Sequence, residues 1–264
     1  MTTHRKPRPN LALALSGGAA RCIAQLGVIQ VLEEEGIAID AIAGTSGGSL
    51  VGALYLDGRM PVDELISLAA KTGWSSIFKP AIPKLGLIDS GGIHRFIKEH
   101  LHARNIGDLK KPFAAVCSDL VTGEKVVLTK GPLALAVQAS CSLPVVFTPT
   151  EVDGRMLIDG GYVSQIPVLA AKEDLNARVV VAVDVNYKSN SEPKLSNLLN
   201  VTMHLTQMFA RRNAAAELPY ADVVISVDIE GIQLYDIGKH EELVRRGRLA
   251  ATEKISEIRK KMEV

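Results

Sequence analysis

The feature that most constrains the fold of this 264-residue chain is a Gly-x-Ser-x-Gly pattern formed by Gly44, Ser46 and Gly48. An apolar stretch, residues 37–43, precedes the pattern, and a helix-like stretch, residues 49–56, follows it. In this setting the pattern is typical of a nucleophile elbow, a tight strand-to-helix turn that exposes one serine hydroxyl. Glycines suit such a turn because a Cβ atom would strain the backbone and crowd the approach to the serine. The sequence therefore predicts that Ser46 is a nucleophile.

Strand-like and helix-like segments alternate along the chain. Residues 179–185 form a valine-rich run, which is typical of a strand buried on both faces. The alternation predicts an α/β fold with a mostly parallel sheet covered on both sides. No repeat or clear break divides the chain, so we expect a flexible tail, residues 1–9, and a single domain, residues 10–264. The predicted strands are residues 10–15, 37–43, 113–119, 125–129, 157–159, 179–185 and 223–227, and the predicted helices are residues 20–35, 49–56, 62–72, 93–101, 132–140, 194–217 and 241–262.

The composition excludes several classes of protein. A net charge of +1 argues against a nucleic-acid-binding surface, for which a basic excess is expected. No signal peptide is visible, and no run approaches the ~18 apolar residues of a spanning helix. Cys22, Cys117 and Cys141 are widely spaced and lack a Cys-x-x-Cys pattern, which predicts reduced thiols and no zinc site. We therefore expect a cytoplasmic protein without a bound metal; the basic tail, residues 4–8, could touch anionic lipid or simply be disordered.

A second glycine-rich segment, residues 16–21, follows the first predicted strand and opens a helix. Backbone N–H groups at a helix start lack intrahelical acceptors, and small residues let a substrate approach them. Such a turn can hold the oxyanion that forms when a serine attacks a carbonyl group. A phosphate-binding turn uses similar physics. However, the chain has neither Gly-x-Gly-x-x-Gly nor a P-loop motif, so the oxyanion interpretation is favoured.

The general base is less clear from residue spacing. Asp159 ends a short apolar strand and precedes Gly160 and Gly161. An aspartate before two glycines is also a common turn residue, so spacing alone leaves both interpretations open. None of the six histidines lies in a loop at a strand end, where a catalytic histidine is expected.

Four ordered motifs together resemble the patatin-like phospholipase family, in its bacterial branch close to the neuropathy-target-esterase type. The motifs are residues 15–21, 44–48, 139–149 and 159–161. The resemblance implies a three-layer α/β/α sandwich of the patatin type, a serine acyl-ester hydrolase without a cofactor, and a Ser–Asp dyad formed by Ser46 and Asp159.

The resemblance also assigns roles within the glycine-rich loop formed by residues 16–21. It implies that the backbone N–H groups of Gly17, Gly18 and Ala19 hold the oxyanion. Arg21 is expected to orient this loop or to meet a lipid phosphate; a plain ion pair with a carboxylate is the alternative. The chain departs from the family at Ala19, at Cys22 and at Gln25, where glycine, glycine and histidine are usual. Alanine still supplies an N–H group, so the oxyanion hole is expected to survive, with tighter access.

Two other functions stay open at this stage. One is an esterase with a Ser-Asp-His triad that uses His204 or His240, and the other is a non-enzymatic regulatory or adaptor protein that keeps the fold. The expected partners are a lipid acyl-ester substrate and the inner membrane surface, with peripheral contact and no nucleic acid. The Gly- and Pro-rich segment, residues 73–92, is predicted to be a loop, and its apolar part, residues 74–88, is either a flap over an acyl groove or a packed loop. The oligomeric state is not predicted.

Overall fold

The structure, a computed structural model, describes residues 8–72, 79–80, 86–188 and 196–263. Most of the predicted tail lies outside these ranges. Residues 8 and 9 are described, and the carbonyl of Pro9 accepts a hydrogen bond from the backbone N–H of Arg178 at 3.0 Å. Ordered backbone contacts therefore begin inside the predicted tail.

The main sheet confirms the predicted architecture. Its strands run in the order β11-β10-β1-β2-β5-β9-β8, and β6 also pairs with β5. The five strands from β11 to β5 are parallel, whereas β6, β9 and β8 pair in antiparallel fashion at one side. The strands are β1 (Leu11–Leu15), β2 (Ala41–Thr45), β5 (Phe113–Asp119), β6 (Lys125–Leu128), β8 (Thr150–Val152), β9 (Arg155–Asp159), β10 (Val179–Asp184) and β11 (Val223–Ser226).

Helices cover both faces of this sheet. They are α1 (Ile23–Glu34), α2 (Gly47–Asp57), α3 (Val62–Lys71), α4 (Gly91–His100), α5 (Leu133–Ser140), α6 (Leu198–Glu217), α7 (His240–Thr252) and α8 (Ile255–Glu263). Successive side chains of a strand point to opposite faces. Leu11, Leu13 and Leu15 accordingly join one buried cluster with α1, α2 and α7, while Ala12 and Ala14 join another with α6 and the segment before β10. The three-layer sandwich is thus built on alternating large and small residues in the central strands.

The predicted C-terminal helix, residues 241–262, is in fact two helices. The chain turns tightly at Glu253 and Lys254, where the N–H of Lys254 donates to the carbonyl of Ala251 at 2.9 Å. This turn lets α8 bury Ile258 completely against the first cluster. Uninterrupted helical spacing does not reveal such a break, because both halves keep an amphipathic pattern.

The prediction of a loop over residues 73–92 is wrong where the structure describes it. A small sheet forms there from β3 (Lys79–Pro80), β4 (Gly86–Asp89) and β7 (Val145–Phe147). β4 pairs with β7, far along the chain, which local composition cannot reveal. Trp74 and the rest of residues 73–78 and 81–85 lie outside the described residues, so the flap stays a prediction. Within the described ranges, no helix combines the length and apolarity needed to cross a bilayer.

Candidate active site

Ser46 lies in a strained turn between β2 and α2. Its φ of 52° and ψ of −127° are unusual for a residue with a Cβ atom, and such strain is typical of a nucleophile elbow. The flanking glycines leave no room for side chains. A Cβ atom at Gly44 would lie 2.5 Å from the backbone N of Ser49, and one at Gly48 would lie 2.4 Å from the carbonyl O of Leu15. The sequence forms this turn only because both positions are glycine.

The strained serine is held through its backbone by Ser140, the last residue of α5. The N–H of Ser46 donates to Ser140 Oγ at 2.9 Å, and Ser140 Oγ in turn donates to the carbonyl of Val116 at 2.7 Å. Ser140 is completely buried. It falls in the segment 139–149 that carries the family resemblance, but the sequence analysis assigns no role to it.

Asp159, at the end of β9, lies close enough to Ser46 that the serine side chain lowers the pKa of the aspartate carboxyl group. Asp159 Oδ1 accepts a hydrogen bond from the backbone N–H of Gly161 at 2.8 Å. Its own backbone is fixed on both sides: the N–H donates to the carbonyl of Ser142 at 3.0 Å, and the carbonyl accepts from Ser118 Oγ at 2.8 Å. The structure thus brings together the two residues that the sequence singled out from separate strand ends.

Burial raises the pKa of Asp159 from 3.8 to about 6, while the hydrogen bonds from Ser46 and Gly161 act in the opposite direction. A base with this pKa is far better matched to neutral pH than an ordinary aspartate. An aspartate with an ordinary pKa would stay ionised well below the pH at which a histidine is protonated, but burial of Asp159 removes most of this difference. An ordinary histidine titrates near ~6.5, so the two bases would lose activity in nearly the same range.

The glycine-rich loop differs from its prediction at Gly17. The N–H of Gly17 donates to the carbonyl of Gln165 at 3.1 Å, so it is already occupied. The carbonyl of Gly17 accepts from Gln165 Nε2 at 2.9 Å and from Asn186 Nδ2 at 2.8 Å. In the part of the chain that the structure describes, the N–H groups of Gly18 and Ala19 have no acceptor, and both residues line the cavity beside Ser46. The predicted donors are thus reduced from three to two.

Arg21 contacts backbone and amide groups, and the alternative of an ion pair is not what the structure shows. Its Nε and Nη2 donate to the carbonyl of Ile232 at 3.1 and 2.7 Å, and Nη1 donates to Asn186 Oδ1 at 3.4 Å. The side chain is buried, with 3% of its surface exposed. Since Asn186 Nδ2 also donates to the carbonyl of Gly17, these contacts connect Arg21 to the glycine-rich loop, and the orienting role of Arg21 stays a prediction.

Ser46 and Asp159 open onto a cavity of about 750 Å³. Its wall is mainly apolar, and α6 forms one side of it with Met203, Ala210 and Ala214. Further apolar lining residues come from α2, α4, the small sheet, the turn between α5 and β7, and the segment before α7: Leu50, Ile88, Ile93, Phe96, Leu143, Val146, Phe147, Leu234 and Tyr235. A volume of about 300–1,000 Å³ is usual for a small-molecule site.

The described histidines do not contribute to this cavity. Neither His204, on α6, nor His240, at the start of α7, is among the residues that line it. All three cysteines are free and buried, as predicted. Cys141 lines the cavity, and burial raises the pKa of its thiol, so it is a poor nucleophile at neutral pH. Among the described residues, no group of three His, Cys, Asp or Glu side chains could hold a metal ion.

The sequence missed several cavity residues. Asp184 ends the buried strand β10 and Asn186 lies just after it, and ligands of open α/β sheets commonly bind at the carboxyl ends of strands. That rule could have found them. Gln165 and the inner face of α6 carry no comparable local signal, because their position depends on contacts with distant parts of the chain.

A family model described as patatin-like phospholipase matches residues 13–172. The chain belongs to this family, which confirms the resemblance and is consistent with lipid acyl hydrolase activity. An uncharacterized NTE family protein of Mycobacterium tuberculosis is 36% identical over 210 residues, covering 78% of this chain and 57% of the relative. Mouse patatin-like phospholipase domain-containing protein 7 is 34% identical over 194 residues, covering 71% of this chain and 14% of the mouse protein. The chain thus spans only part of these relatives.

Two solved structures show the same fold at low sequence identity. Human GIVD cytosolic phospholipase A2, in complex with a methyl γ-linolenyl fluorophosphonate inhibitor, has a TM-score of 0.59 and 12% identity, covering 97% of this chain and 59% of that one. VipD from Legionella pneumophila has a TM-score of 0.55 and 14% identity, covering 94% of this chain and 66% of that one. These likenesses confirm the predicted fold class.

Proposed function

We propose that this chain hydrolyses lipid acyl esters, with Ser46 as the nucleophile and Asp159 as the general base. One observation carries the proposal: Ser46 lies beside the buried carboxyl group of Asp159, and both residues line one largely apolar cavity. A nucleophilic hydroxyl needs a base within hydrogen-bond reach. The apolar wall suits an acyl chain, and the family of the chain supports a lipid substrate.

In the first half of the reaction, Asp159 accepts the proton of Ser46 Oγ while this oxygen bonds to the carbonyl carbon of the ester. The carbonyl oxygen becomes an oxyanion, and the N–H groups of Gly18 and Ala19 donate to it. When the tetrahedral intermediate collapses, the bond to the leaving oxygen breaks. Protonated Asp159 returns its proton to that oxygen, so the alcohol product leaves and an acyl ester remains on Ser46.

In the second half, Asp159 takes a proton from a water molecule, whose oxygen attacks the acyl carbon. The same two N–H groups hold the second oxyanion. Collapse breaks the bond to Ser46 Oγ, which recovers the proton from Asp159, and the fatty acid leaves. No step requires a cofactor or a histidine, and every proton that Asp159 accepts is returned within the same half-reaction.

The test compares wild-type protein with Ser46→Ala and Asp159→Asn on p-nitrophenyl esters of increasing chain length and on phospholipids. Matched controls are Ser67→Ala, an exposed serine on α3, and Asp153→Asn, an exposed aspartate in the turn before β9. We expect the first two variants to lose activity and both controls to keep it. A folded wild-type protein that cleaves none of these esters would instead support an adaptor role.

A further inference from the structure

Helix α6 has two distinct faces, one that lines the cavity and one that is exposed at the surface. One face lines the cavity with residues spaced at helical intervals: Met203, Gln207, Ala210 and Ala214. The other face points outward and carries four large apolar side chains, each between 37% and 53% exposed: Val201, Leu205, Met208 and Phe209. Single exposed apolar residues are ordinary, but here they repeat at intervals of four, three and one residue, which places them in one stripe on the helix.

Before its last residue, the helix α6 carries only basic charged side chains. Arg212 is exposed and continues the stripe one turn beyond Met208. The first acidic residue of α6 is Glu217, which is buried and accepts from the backbone N–H of Leu169. The outward face of α6 is therefore apolar and cationic.

The small sheet also exposes apolar side chains next to residues that line the cavity. In the small sheet, Ile88 and Val146 line the cavity, while their neighbours Leu87 and Val145 are 48% and 40% exposed. Two separate elements that form the cavity wall thus expose apolar side chains. A surface of this kind suits a substrate that reaches the cavity from an apolar phase.

We propose that the outer face of α6 docks the protein onto an anionic lipid bilayer, with the stripe in the acyl boundary and Arg212 at the phosphate level. An amphipathic helix with a basic residue beside its apolar face binds such surfaces by apolar burial and by charge attraction. The choice of a lipid bilayer as the partner rests on the proposed function in one respect: an enzyme with a lipid substrate needs to reach a lipid surface. A second copy of this chain is a less suitable partner. If two copies paired through the outer faces of α6, neither face would offer a carboxylate to Arg212 of the other.

The test measures sedimentation with vesicles of two parts phosphatidylcholine to one part phosphatidylglycerol, using Ser46→Ala protein so that no lipid is hydrolysed. The double variant Leu205→Gln/Met208→Gln should lower the partition coefficient at least tenfold. Arg212→Gln should lower it about fivefold on these vesicles, as expected for one basic residue near an anionic surface, and leave binding to pure phosphatidylcholine unchanged. Leu249→Gln, an equally exposed leucine on α7, is the matched control and should bind as Ser46→Ala alone.

The docking proposal and the proposed function fail separately. Unchanged binding by the folded double variant, or no binding by the parent protein, overturns docking. So does a parent protein that sediments as a dimer while the double variant is a monomer, since the stripe would then cover a second copy. With Ser46 restored, the double variant should cleave a soluble short-chain ester at the wild-type rate and vesicle phospholipid slowly. Stripe-dependent vesicle binding without cleavage of any ester supports docking and overturns the hydrolase.

Discussion

The backbone N–H of Ser46 and the side chain of Ser140 form a 2.9 Å hydrogen bond, which connects the proposed nucleophile to α5. Ser140 Oγ in turn donates a hydrogen bond to the carbonyl of Val116 in β5, the strand that pairs with β9. A Cβ atom at Gly160, next to Asp159, would lie 2.3 Å from that same carbonyl oxygen. The carbonyl of Val116 therefore helps to position both residues: it binds Ser140, which holds Ser46, and it packs closely against Gly160, which follows Asp159.

Ser140→Ala should reduce kcat by about 10- to 100-fold with little change in KM, because small displacements of a reacting atom cost rates of this order. It leaves the N–H of Ser46 without its partner, which should also lower the free energy of unfolding by about 1–3 kcal/mol. Steady-state kinetics and urea unfolding measure both effects. Ser142→Ala is the control, since Ser142 Oγ bonds to Gln138 and Thr150 and not to the elbow. Equal losses of kcat in the two variants would contradict a positioning role for Ser140.

A fluorophosphonate probe should label the wild-type protein once, at Ser46. The hydroxyl of Ser46 has a carboxylate partner in an accessible cavity, whereas Ser67 lies on the outside of α3. Mass spectrometry of the labelled protein locates the adduct. Ser46→Ala should abolish labelling while circular dichroism shows a folded protein, and Ser67→Ala should label normally. An adduct on another serine in Ser46→Ala would show that the nucleophile is misassigned.

The pH dependence of kcat/KM should follow the protonation of Asp159. The base must be ionised to accept a proton, so activity should rise with pH through an apparent pKa of about 6 and fall away below it. Since a histidine would give a similar profile, the separating measurement is the same titration on His204→Ala/His240→Ala with EDTA present. We expect this variant to retain most activity and the same profile. Loss of the acidic limb in that folded variant would favour the triad.

Gly44→Ala should distort the elbow, because its Cβ atom would meet the backbone of Ser49, which cannot move aside as a flexible side chain can. Overpacking of this kind costs about 1–3 kcal/mol in the free energy of unfolding. Chemical denaturation gives this cost, and ester hydrolysis reports the state of the elbow. Gly107→Ala is the control, since its Cβ atom would meet nothing within 4 Å. A Gly44→Ala protein as stable and active as the control would mean that the turn adapts freely.

Local sequence was sufficient to locate the turns that follow two of the strands. Ser46 directly follows the short apolar strand β2, Asp159 ends β9, and the structure brings both residues to the same cavity. The bond between Gly17 and Gln165 could not be predicted, because it joins residues 148 positions apart and depends on the local dihedral angles of the loop. The resemblance therefore implies three candidate oxyanion donors, whereas the backbone N–H of Gly17 is already bonded and two candidates remain.

The role of α6 was equally hidden from sequence. Its cavity face includes Gln207, Ala210 and Ala214, which are polar or small, while larger apolar residues face outward. A pattern of this kind does not tell which face is buried, since the usual assumption is that large apolar residues point inward. The sequence analysis also missed the small sheet. Its strand β4 pairs with β7, which lies far along the chain, so local sequence does not reveal the pairing.

Asp159→Asn should abolish most activity, on the order of 10²-fold or more in kcat, and yet stabilise the fold above pH 6. In the unfolded chain Asp159 ionises near its ordinary pKa of 3.8, whereas the folded protein holds its proton up to about 6. As pH rises through this interval, the unfolded state loses the proton first, so the wild-type protein loses stability on the order of 3 kcal/mol. Asparagine does not titrate, so the variant should melt at a higher temperature than wild type at pH 8, and this difference in melting temperature should close near pH 4.

Calorimetry at both pH values measures the difference in melting temperature, with the exposed Asp153→Asn variant as the control that should melt as wild type does. A variant less stable than wild type at pH 8 would show that the carboxylate is held by its hydrogen bonds more strongly than burial disfavours it, and Asp159 would then have no raised pKa.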